Sequence, residues 1–337
     1  VLAVKYREVD ERGKHQGGPM YYIRNGLGKN WAWMAFLFAL FGSLAAFGIG
    51  NGVQSNAVAT NLFNLYEVPK WITGIILSVL IALVIIGGVH RIGSFAGKIV
   101  PIMAIFYVGG ALLIIISNIT DVPSAFSIIF TDAFTGTAAA GGFVGATIMM
   151  AIQTGVARGL FSNEAGLGTA PIAHAAAKTK DPVKQGTIGM LGTFLDTIVI
   201  CTMTALVIII MNGWTQIDAE TSGQMSKAAI TSYSFSQGLA GYGGIIVTLG
   251  MIFFTFTTMV GWSFYGERCA EYLFGVKVIV IYRILWVAVV FIGTTLKLDI
   301  VWLIAEILNG LMAIPNLIGL LLLSPVVFKL TKEYYSK

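Results

Sequence analysis

Long apolar runs separated by short polar joints dominate the pattern of this sequence. A membrane-spanning helix needs about 20 mostly apolar residues, and eight segments reach that length. Each run is continuous and does not alternate residue by residue, which excludes the strands of a membrane β-barrel. The pattern therefore predicts an all-α polytopic membrane protein. The eight predicted spans are residues 31–61, 71–88, 98–117, 140–160, 187–211, 240–264, 278–296 and 300–327.

The basic residues fall mainly on one side of these spans. Seventeen lysines and arginines share one side, three lie on the other, and Arg158 lies inside or beside a span. The positive-inside rule assigns the basic side to the cytoplasm. The net charge of +5 therefore reflects membrane orientation and not affinity for nucleic acid. The three residues on the outer side are Lys70, Lys227 and Lys297.

The composition excludes the main soluble classes of protein. Of the 337 residues, 56% are hydrophobic and only 11% are charged, against about 25% charged in soluble domains. The mean hydropathy of +0.82 excludes a soluble enzyme, a disordered chain and a disulfide-stapled secreted domain. Cys201 and Cys269 lack a metal-binding spacing, and no catalytic triad or nucleotide-binding loop occurs. We therefore predict that the protein is not an enzyme and has no catalytic residue.

The first residues of the chain read as the end of an earlier element. Val1–Val4 has the character of a helix tail, and residues 1–30 contain no hydrophobic segment of the kind found in signal peptides. We therefore expect further spans before Val1 in a longer protein.

The segment from Gln153 to Pro171 carries an unusual number of residues that interrupt helices. Non-helical backbone at membrane depth is tolerated only where it is buried in protein or lines a wet cavity. Arg158, Asn163 and Glu164 lie in the same stretch, and polar groups at that depth are functional candidates. A broken span at a binding site and a cytoplasmic loop after the fourth span both remain open. The glycines of this segment are Gly155, Gly159, Gly166 and Gly168.

A second polar cluster lies in the first predicted span. Asn51 and Ser55 share one helix face, and Gln54 lies beside that stripe. Carboxamides offer hydrogen-bond donors and acceptors without charge, so they suit a zwitterionic ligand. Hydrogen bonding between helices is the alternative for these residues.

The sixth predicted span combines hydroxyl groups with a large aromatic ring. The oxygens of Thr257 and Thr258 are hard ligands suited to an alkali cation, although threonines in such helices often bond back to the preceding turn. Trp262 is large enough to wall a small cavity, or it is an ordinary packing residue. Asp196 and Glu306 are the remaining span carboxylates, suited to proton relay, to a cation site or to pairing with a neighbouring helix.

One long stretch resembles the signature of a known family. Residues 159–179, GLFSNEAGLGTAPIAHAAAKT, are similar to the signature of the alanine/glycine:cation symporters, sodium-coupled amino-acid carriers of bacteria and archaea. The resemblance covers essentially the whole chain. Supporting stretches are GGPMY (17–21), FGIGN (47–51), GTFLDT (192–197), GWSFYGE (261–267) and NGLMAIPNLIG (309–319).

The resemblance implies a leucine-transporter-like fold in a prokaryotic plasma membrane, built from two inverted repeats of five helices. The eight spans would be core helices three to ten of a single membrane transport domain. Residues 1–30 would be a cytoplasmic loop, residues 31–135 the remaining three spans of the first repeat, and residues 136–337 the five spans of the second. Core helix one, which supplies much of the binding site in this fold, would precede Val1.

The resemblance also implies a substrate site. Phe161, Ser162 and Asn163 would contact a small neutral amino acid at the break in core helix six. Gln54, on core helix three, would bind its ammonium or carboxylate group. Trp262 would cover the side-chain end of the site and limit the substrate to alanine, glycine or an amino acid of similar size.

The implied mechanism is sodium-coupled import by alternating access. Thr257 and Thr258 would bind the coupling sodium ion on core helix eight; no other cofactor, no nucleic acid and no protein partner is implied beyond the membrane lipid. One rival is a proton-coupled amino-acid carrier of the same fold that depends on Asp196, Glu164 or Glu306. A membrane homologue that does not transport is a further alternative.

Overall fold

The computed structural model describes residues 1–135, 144–215, 227–296 and 298–336, and these are predominantly helical. Among them one short antiparallel hairpin occurs, in which β1 (Glu8–Val9) pairs with β2 (His15–Gln16). The helices are α1 (Leu2–Lys5), α2 (Pro19–Leu27), α3 (Ala32–Ala45), α4 (Val53–Tyr66), α5 (Lys70–Ile85), α6 (Gly88–Ser117), α7 (Val122–Thr135), α8 (Val144–Asn163), α9 (Ala170–Ala175), α10 (Pro182–Thr193), α11 (Thr202–Ile210), α12 (Lys227–Gly238), α13 (Gly243–Phe274), α14 (Val278–Thr295) and α15 (Leu298–Tyr335).

In the described part of the chain, six helical segments are long and apolar enough to cross a membrane. They confirm the prediction of an all-α polytopic membrane protein. The predicted span 71–88 corresponds to α5, which has only 16 residues. The predicted span 140–160 corresponds to α8, and its first four residues lie outside the described residues. The six segments are Lys29–Asn64, Arg91–Ser117, Pro182–Ile210, Gly243–Phe274, Val278–Thr295 and Trp302–Tyr335.

The first span contains a wider, π-helical stretch, Ala46–Gly52, between α3 and α4. Glycines in this stretch allow close approach to other helices. A Cβ atom added to Gly48 would lie 2.6 Å from the Cβ of Ala305 on α15, and one added to Gly50 would overlap Trp262 on α13. Because π-helical turns occur often at functional sites, this stretch is a candidate position for one.

The described residues divide into two compact units, and the chain passes between them four times. In the first unit α3 packs on α15, and α14 packs on α4 and α5. In the second unit α11 packs on α7 and α12. This division does not follow the expected repeat boundary at residue 136, and the repeats stay a prediction. The first unit comprises Val1–Lys98, Glu164–Gly192 and Phe254–Lys337, and the second comprises Ile99–Asn163 and Thr193–Phe253.

Large apolar side chains point outward along the spans. Ile105 on α6 is 71% exposed and Leu321 on α15 is 75% exposed, and similar residues continue along α14. A continuous apolar surface of this kind is unfavourable in water, whereas a bilayer core covers it with hydrocarbon. The outward side chains therefore match a protein embedded in lipid.

Three arginines and three carboxylates form a cluster in the first unit, called here the charge cluster. Glu267 on α13 lies at its centre and is buried. Its carboxylate accepts two hydrogen bonds from Arg283 on α14, at 2.6 and 3.1 Å, and lies 2.5 Å from the guanidinium of Arg268. Glu267 therefore joins α13 to α14. The members of the cluster are Asp10, Arg12, Glu267, Arg268, Glu271 and Arg283.

Glu271 connects the same cluster to the hairpin. It lies 2.5 Å from Arg268 and 2.9 Å from Arg12, and it accepts a hydrogen bond from Gln16 at 2.7 Å. Burial alone would raise the pKa of Asp10 in the hairpin turn, but the backbone N–H of Lys14 and the Arg12 guanidinium lower it below its usual value. The formal charges of the cluster sum to zero, which permits its burial.

Candidate functional site

Amide side chains of the first span hydrogen-bond mainly to a neighbouring helix. Asn51 donates to the carbonyl of Trp286 on α14 at 2.9 Å, and Asn56 donates to the carbonyls of Gly293 and Leu296 at 2.8 Å each. The interhelical alternative therefore holds for Asn51. Gln54 differs, because its amide donates to Ile49 in its own π-helical stretch at 3.2 Å and its side chain is only half-buried.

The two threonines predicted to bind sodium share one hydrogen-bond acceptor on α13. Thr257 and Thr258 both donate to the carbonyl of Phe254, at 3.0 and 2.8 Å. Each hydroxyl proton therefore points toward the Phe254 carbonyl. A hydroxyl oxygen that donates its proton still has lone pairs, which can bind a cation or accept a hydrogen bond. Both side chains are half-buried. These bonds are the bonding back to the preceding turn that was the alternative for these threonines, and the two hydroxyl oxygens keep the hard character of alkali-cation ligands.

Trp262 lies one turn after Thr258 and is held tightly within the first unit. Only 4% of its surface is exposed. The Trp262 ring packs edge-on against Tyr265, with the ring centroids 5.8 Å apart. The Cβ and Cγ atoms of Trp262 lie directly against Gly50 of the π-helical stretch. Any larger residue at position 50 would displace this indole. The ring is therefore fixed in place by the backbone of the first span.

The interruption of helix expected between Gln153 and Pro171, either a broken span or a loop after it, is shorter than the spread of its four glycines. α8 continues through Gly155 and Gly159 and ends at Asn163. The next six residues are not helical, and Gly166 and Gly168 adopt positive φ angles of 88° and 96°, which glycine tolerates without strain. The break, defined here as residues 164–169, therefore follows the polar pair 162–163 directly.

The end of α8 is hydrogen-bonded to a second π-helical stretch, Phe194–Cys201. Ser162 donates to Asp196 at 2.8 Å, and Asn163 donates to Thr197 at 2.9 Å. Two predicted substrate residues thus contact a carboxylate and a hydroxyl of the following span. The side chain of Phe161, the third, lies outside the described side chains, as does that of Arg158.

The predicted site residues fall into two groups by unit. Gln54, Thr257, Thr258 and Trp262 lie in the first unit, and residues 161–163 end the first segment of the second unit. The role of Asp196 as partner of Ser162 was missed from the sequence, which grouped it only with the other span carboxylates. Its position in the GTFLDT stretch was the available signal.

Comparisons with known proteins agree with these features. The family described as the sodium:alanine symporter family matches residues 1–337. The sodium/alanine symporter AgcS of Methanococcus maripaludis is 50% identical over 99% of this chain and 72% of its own length. An uncharacterized transporter of Haemophilus influenzae is 49% identical over 100% of this chain and 73% of its own length. The probable sodium/glutamine symporter GlnT of Bacillus subtilis is 39% identical over 99% of this chain and 67% of its own length.

The family match and the apolar helices both indicate a membrane transporter. The described residues contain six apolar segments long enough to cross a membrane, and Ser162 at the end of α8 bonds to Asp196 in one of them. The chain belongs to the sodium:alanine symporter family and is a cation-coupled amino-acid symporter of the prokaryotic plasma membrane, not an enzyme.

Proposed function

We propose that the protein imports alanine and glycine together with sodium by alternating access. The hydroxyl pair of Thr257 and Thr258 is the observation that carries the choice of sodium. Both oxygens are uncharged and hard, and both donate their protons to the same carbonyl. Such oxygens bind an alkali cation without a titrating group, so the coupling ion is bound over a wide range of pH.

The small size of the substrate is supported by the packing around Trp262. Its indole is buried and lies against Gly50, so it has little freedom to retreat from a larger ligand. A rigid wall discriminates against added methylene groups. Alanine and glycine are therefore proposed as substrates, and leucine is expected to be excluded.

Sodium entry supplies the driving force for accumulation. A cation that enters a cell at −100 mV gains about 2.3 kcal/mol. That energy corresponds to about fiftyfold accumulation of a neutral amino acid for each sodium ion. The coupling needs only mutual stabilisation of bound sodium and substrate, and no covalent step.

Uptake of labelled alanine by proteoliposomes that contain the full-length protein tests this proposal. We expect uptake only with an inward sodium gradient at fixed pH. Unlabelled glycine is expected to compete because it fits the same space, and leucine is not. Equal uptake driven by a proton gradient without sodium would overturn the choice of ion, and competition by leucine would overturn the size limit.

Proton coupling is a second candidate, and Asp196 is the observation that favours it. Its carboxylate lies in a predicted span and accepts a hydrogen bond from Ser162. Within the described ranges it has no cationic partner. A carboxylate in that position either binds a proton or contributes to a cation site.

Replacing Asp196 by asparagine tests the second candidate in the same vesicles. The amide keeps an oxygen for Ser162 but cannot titrate, so uptake driven by a proton gradient is expected to vanish if protons are the coupling ion. Glu333→Gln is the control, because Glu333 is an exposed acid that pairs with Lys329 and is not a candidate for proton coupling. Unchanged proton-driven uptake in Asp196→Asn would refute a coupling role for this carboxylate.

A further inference from the structure

Asn316 is a buried amide within α15 whose side chain connects three parts of the first unit. Only 1% of the residue is exposed. Its Nδ2 donates to the carbonyl of Gly166 in the break at 2.8 Å. Its Oδ1 accepts a hydrogen bond from the hydroxyl of Tyr22 on α2. The Asn316 amide thus links α2 and α15 to the non-helical backbone of the break.

The hydroxyl of Tyr22 fixes which way this amide points. A phenol that donates to Oδ1 leaves the two N–H groups of Asn316 on the opposite side, toward Gly166. Tyr22 is only 1% exposed, so water does not compete for the bond. The hydrogen bond from Tyr22 therefore holds the Nδ2 group of Asn316 in the orientation that faces Gly166.

The break also packs closely against Asn316 and against residues near Tyr22. A Cβ atom added to Gly168 would lie 2.6 Å from Pro19, 2.7 Å from Phe38 and 3.0 Å from Asn316. Thr169, which ends the break, is 1% exposed and donates to the carboxylate of Glu164 at 2.7 Å. The break is therefore closely packed, and Asn316 supplies a side-chain hydrogen bond to its middle.

A carbonyl in non-helical backbone needs such a donor. Gly166 lies outside α8 and α9, so the regular i to i−4 bond is not available to pair its oxygen. Removing the Asn316 donor would leave this carbonyl to be satisfied by movement of the break. Ser162 and Asn163 directly precede the break in the chain, so we expect them to be affected by such a movement.

We propose that Asn316 is a positioning residue that holds the break in its binding geometry and thereby sets the affinity for substrate, without contacting the substrate. This inference rests on the proposed function for the part that concerns affinity. The stretch GGPMY directly precedes Tyr22, and the stretch NGLMAIPNLIG contains Asn316. The proposal gives these two stretches a shared role. That role is to fix the backbone of the break from two sides.

Three variants of the full-length protein test the proposal. Asn316→Leu keeps the approximate volume and removes both polar ends. Asn316→Asp keeps the acceptor for Tyr22 but, when ionised, lacks the donor for Gly166. Asn118→Asp is the matched control, because Asn118 also donates to a backbone carbonyl at 2.8 Å, that of Ile114, and belongs to the second unit.

Hydrogen–deuterium exchange of the amides in residues 164–169 tests the holding role without any substrate. We expect exchange about tenfold faster in Asn316→Leu than in the wild type, since each tenfold change corresponds to one lost net interaction of ordinary strength. Amides of α5 and α14 are expected to be unchanged, which separates a local effect from misfolding. Unchanged exchange in the break would overturn the proposal, whatever the protein transports.

Alanine uptake tests the consequence for affinity. At pH 7.5 we expect the KM of Asn316→Asp to rise about tenfold, with kcat changed less than KM. At pH 5.5 the neutral acid regains an O–H donor for Gly166, and KM is expected to return toward the wild-type value; Asn316→Leu is not rescued. The wild type and Asn118→Asp, measured at both pH values, correct for effects of pH that do not depend on residue 316.

The two readouts separate this inference from the proposed function. Faster exchange in the break with no sodium-dependent alanine uptake by the wild type would refute the proposed function and leave the holding role of Asn316 established. Sodium-dependent uptake with the same KM in all variants would refute the effect on affinity. A fall in kcat alone, without a change in KM, would also contradict it.

Discussion

Replacing Glu267 by glutamine is expected to destabilise the protein by about 3–5 kcal/mol, the usual result of removing one partner from a buried ion pair. Glu267 is 4% exposed and faces Arg268 and Arg283 within 2.6 Å. Glutamine keeps the shape of the side chain but removes the counter-charge that faces Arg283, and it leaves Arg268 with Glu271 as its remaining carboxylate. The penalty is therefore electrostatic and does not arise from a cavity.

Unfolding of the purified protein in mixed micelles with increasing SDS measures this loss. Glu333→Gln is the matched control, because Glu333 pairs with Lys329 at 4.0 Å with both side chains exposed, and we expect a change of at most about 0.5 kcal/mol there. The double variant Glu267→Gln/Arg283→Gln is expected to recover part of the loss, since it also removes the guanidinium charge that Glu267 had faced. Equal effects at Glu267 and Glu333 would show that the charge cluster is not stabilised by its pairing.

Replacing Thr258 by valine is expected to abolish sodium dependence or to raise the half-saturating sodium concentration at least about tenfold, equivalent to about 1.4 kcal/mol of binding free energy. Valine has the same branched shape and lacks the oxygen. The hydroxyl of Thr258 donates its proton to the carbonyl of Phe254. The substitution therefore removes the oxygen lone pairs that would bind sodium. Alanine uptake measured against sodium concentration at fixed pH gives the result.

Thr295→Val is the matched control for this experiment. Thr295 also bonds back along its own helix, to the carbonyl of Ile292 at 2.9 Å, but it lies at the end of α14 and is exposed. We expect unchanged sodium dependence in that variant. Full sodium dependence in Thr258→Val would remove this threonine as a ligand and direct attention to Asp196.

The spans were largely predictable because hydropathy is a local and additive property of the chain. The run from 278 to 296 matches α14 within one residue at its end. The helix break was predictable in kind but not in position. Gly155 and Gly159 remain helical because glycine only weakens a helix. The helix ends instead at Asn163, where Glu164 adopts a positive φ of 55°, and Gly166 and Gly168 continue the non-helical stretch.

The partners of the polar side chains were not predictable in the same way. Asn316 lies 150 residues from Gly166 and 294 from Tyr22, and Ser162 lies 34 residues from Asp196. No periodicity in the sequence relates positions so far apart. The charge cluster shows the same limit, since Arg12 and Glu271 are 259 residues apart.

The sequence by itself determined that this protein lies in a membrane, where most of its apolar helices lie and which stretches are unusual. These properties depend on the transfer free energy of successive residues, which can be summed along the chain without knowledge of the fold. Only the tertiary structure decided which carbonyl each buried amide satisfies and which acid each guanidinium faces. A buried polar group must find a partner within about 3 Å, and the packing of distant helices determines which group lies there.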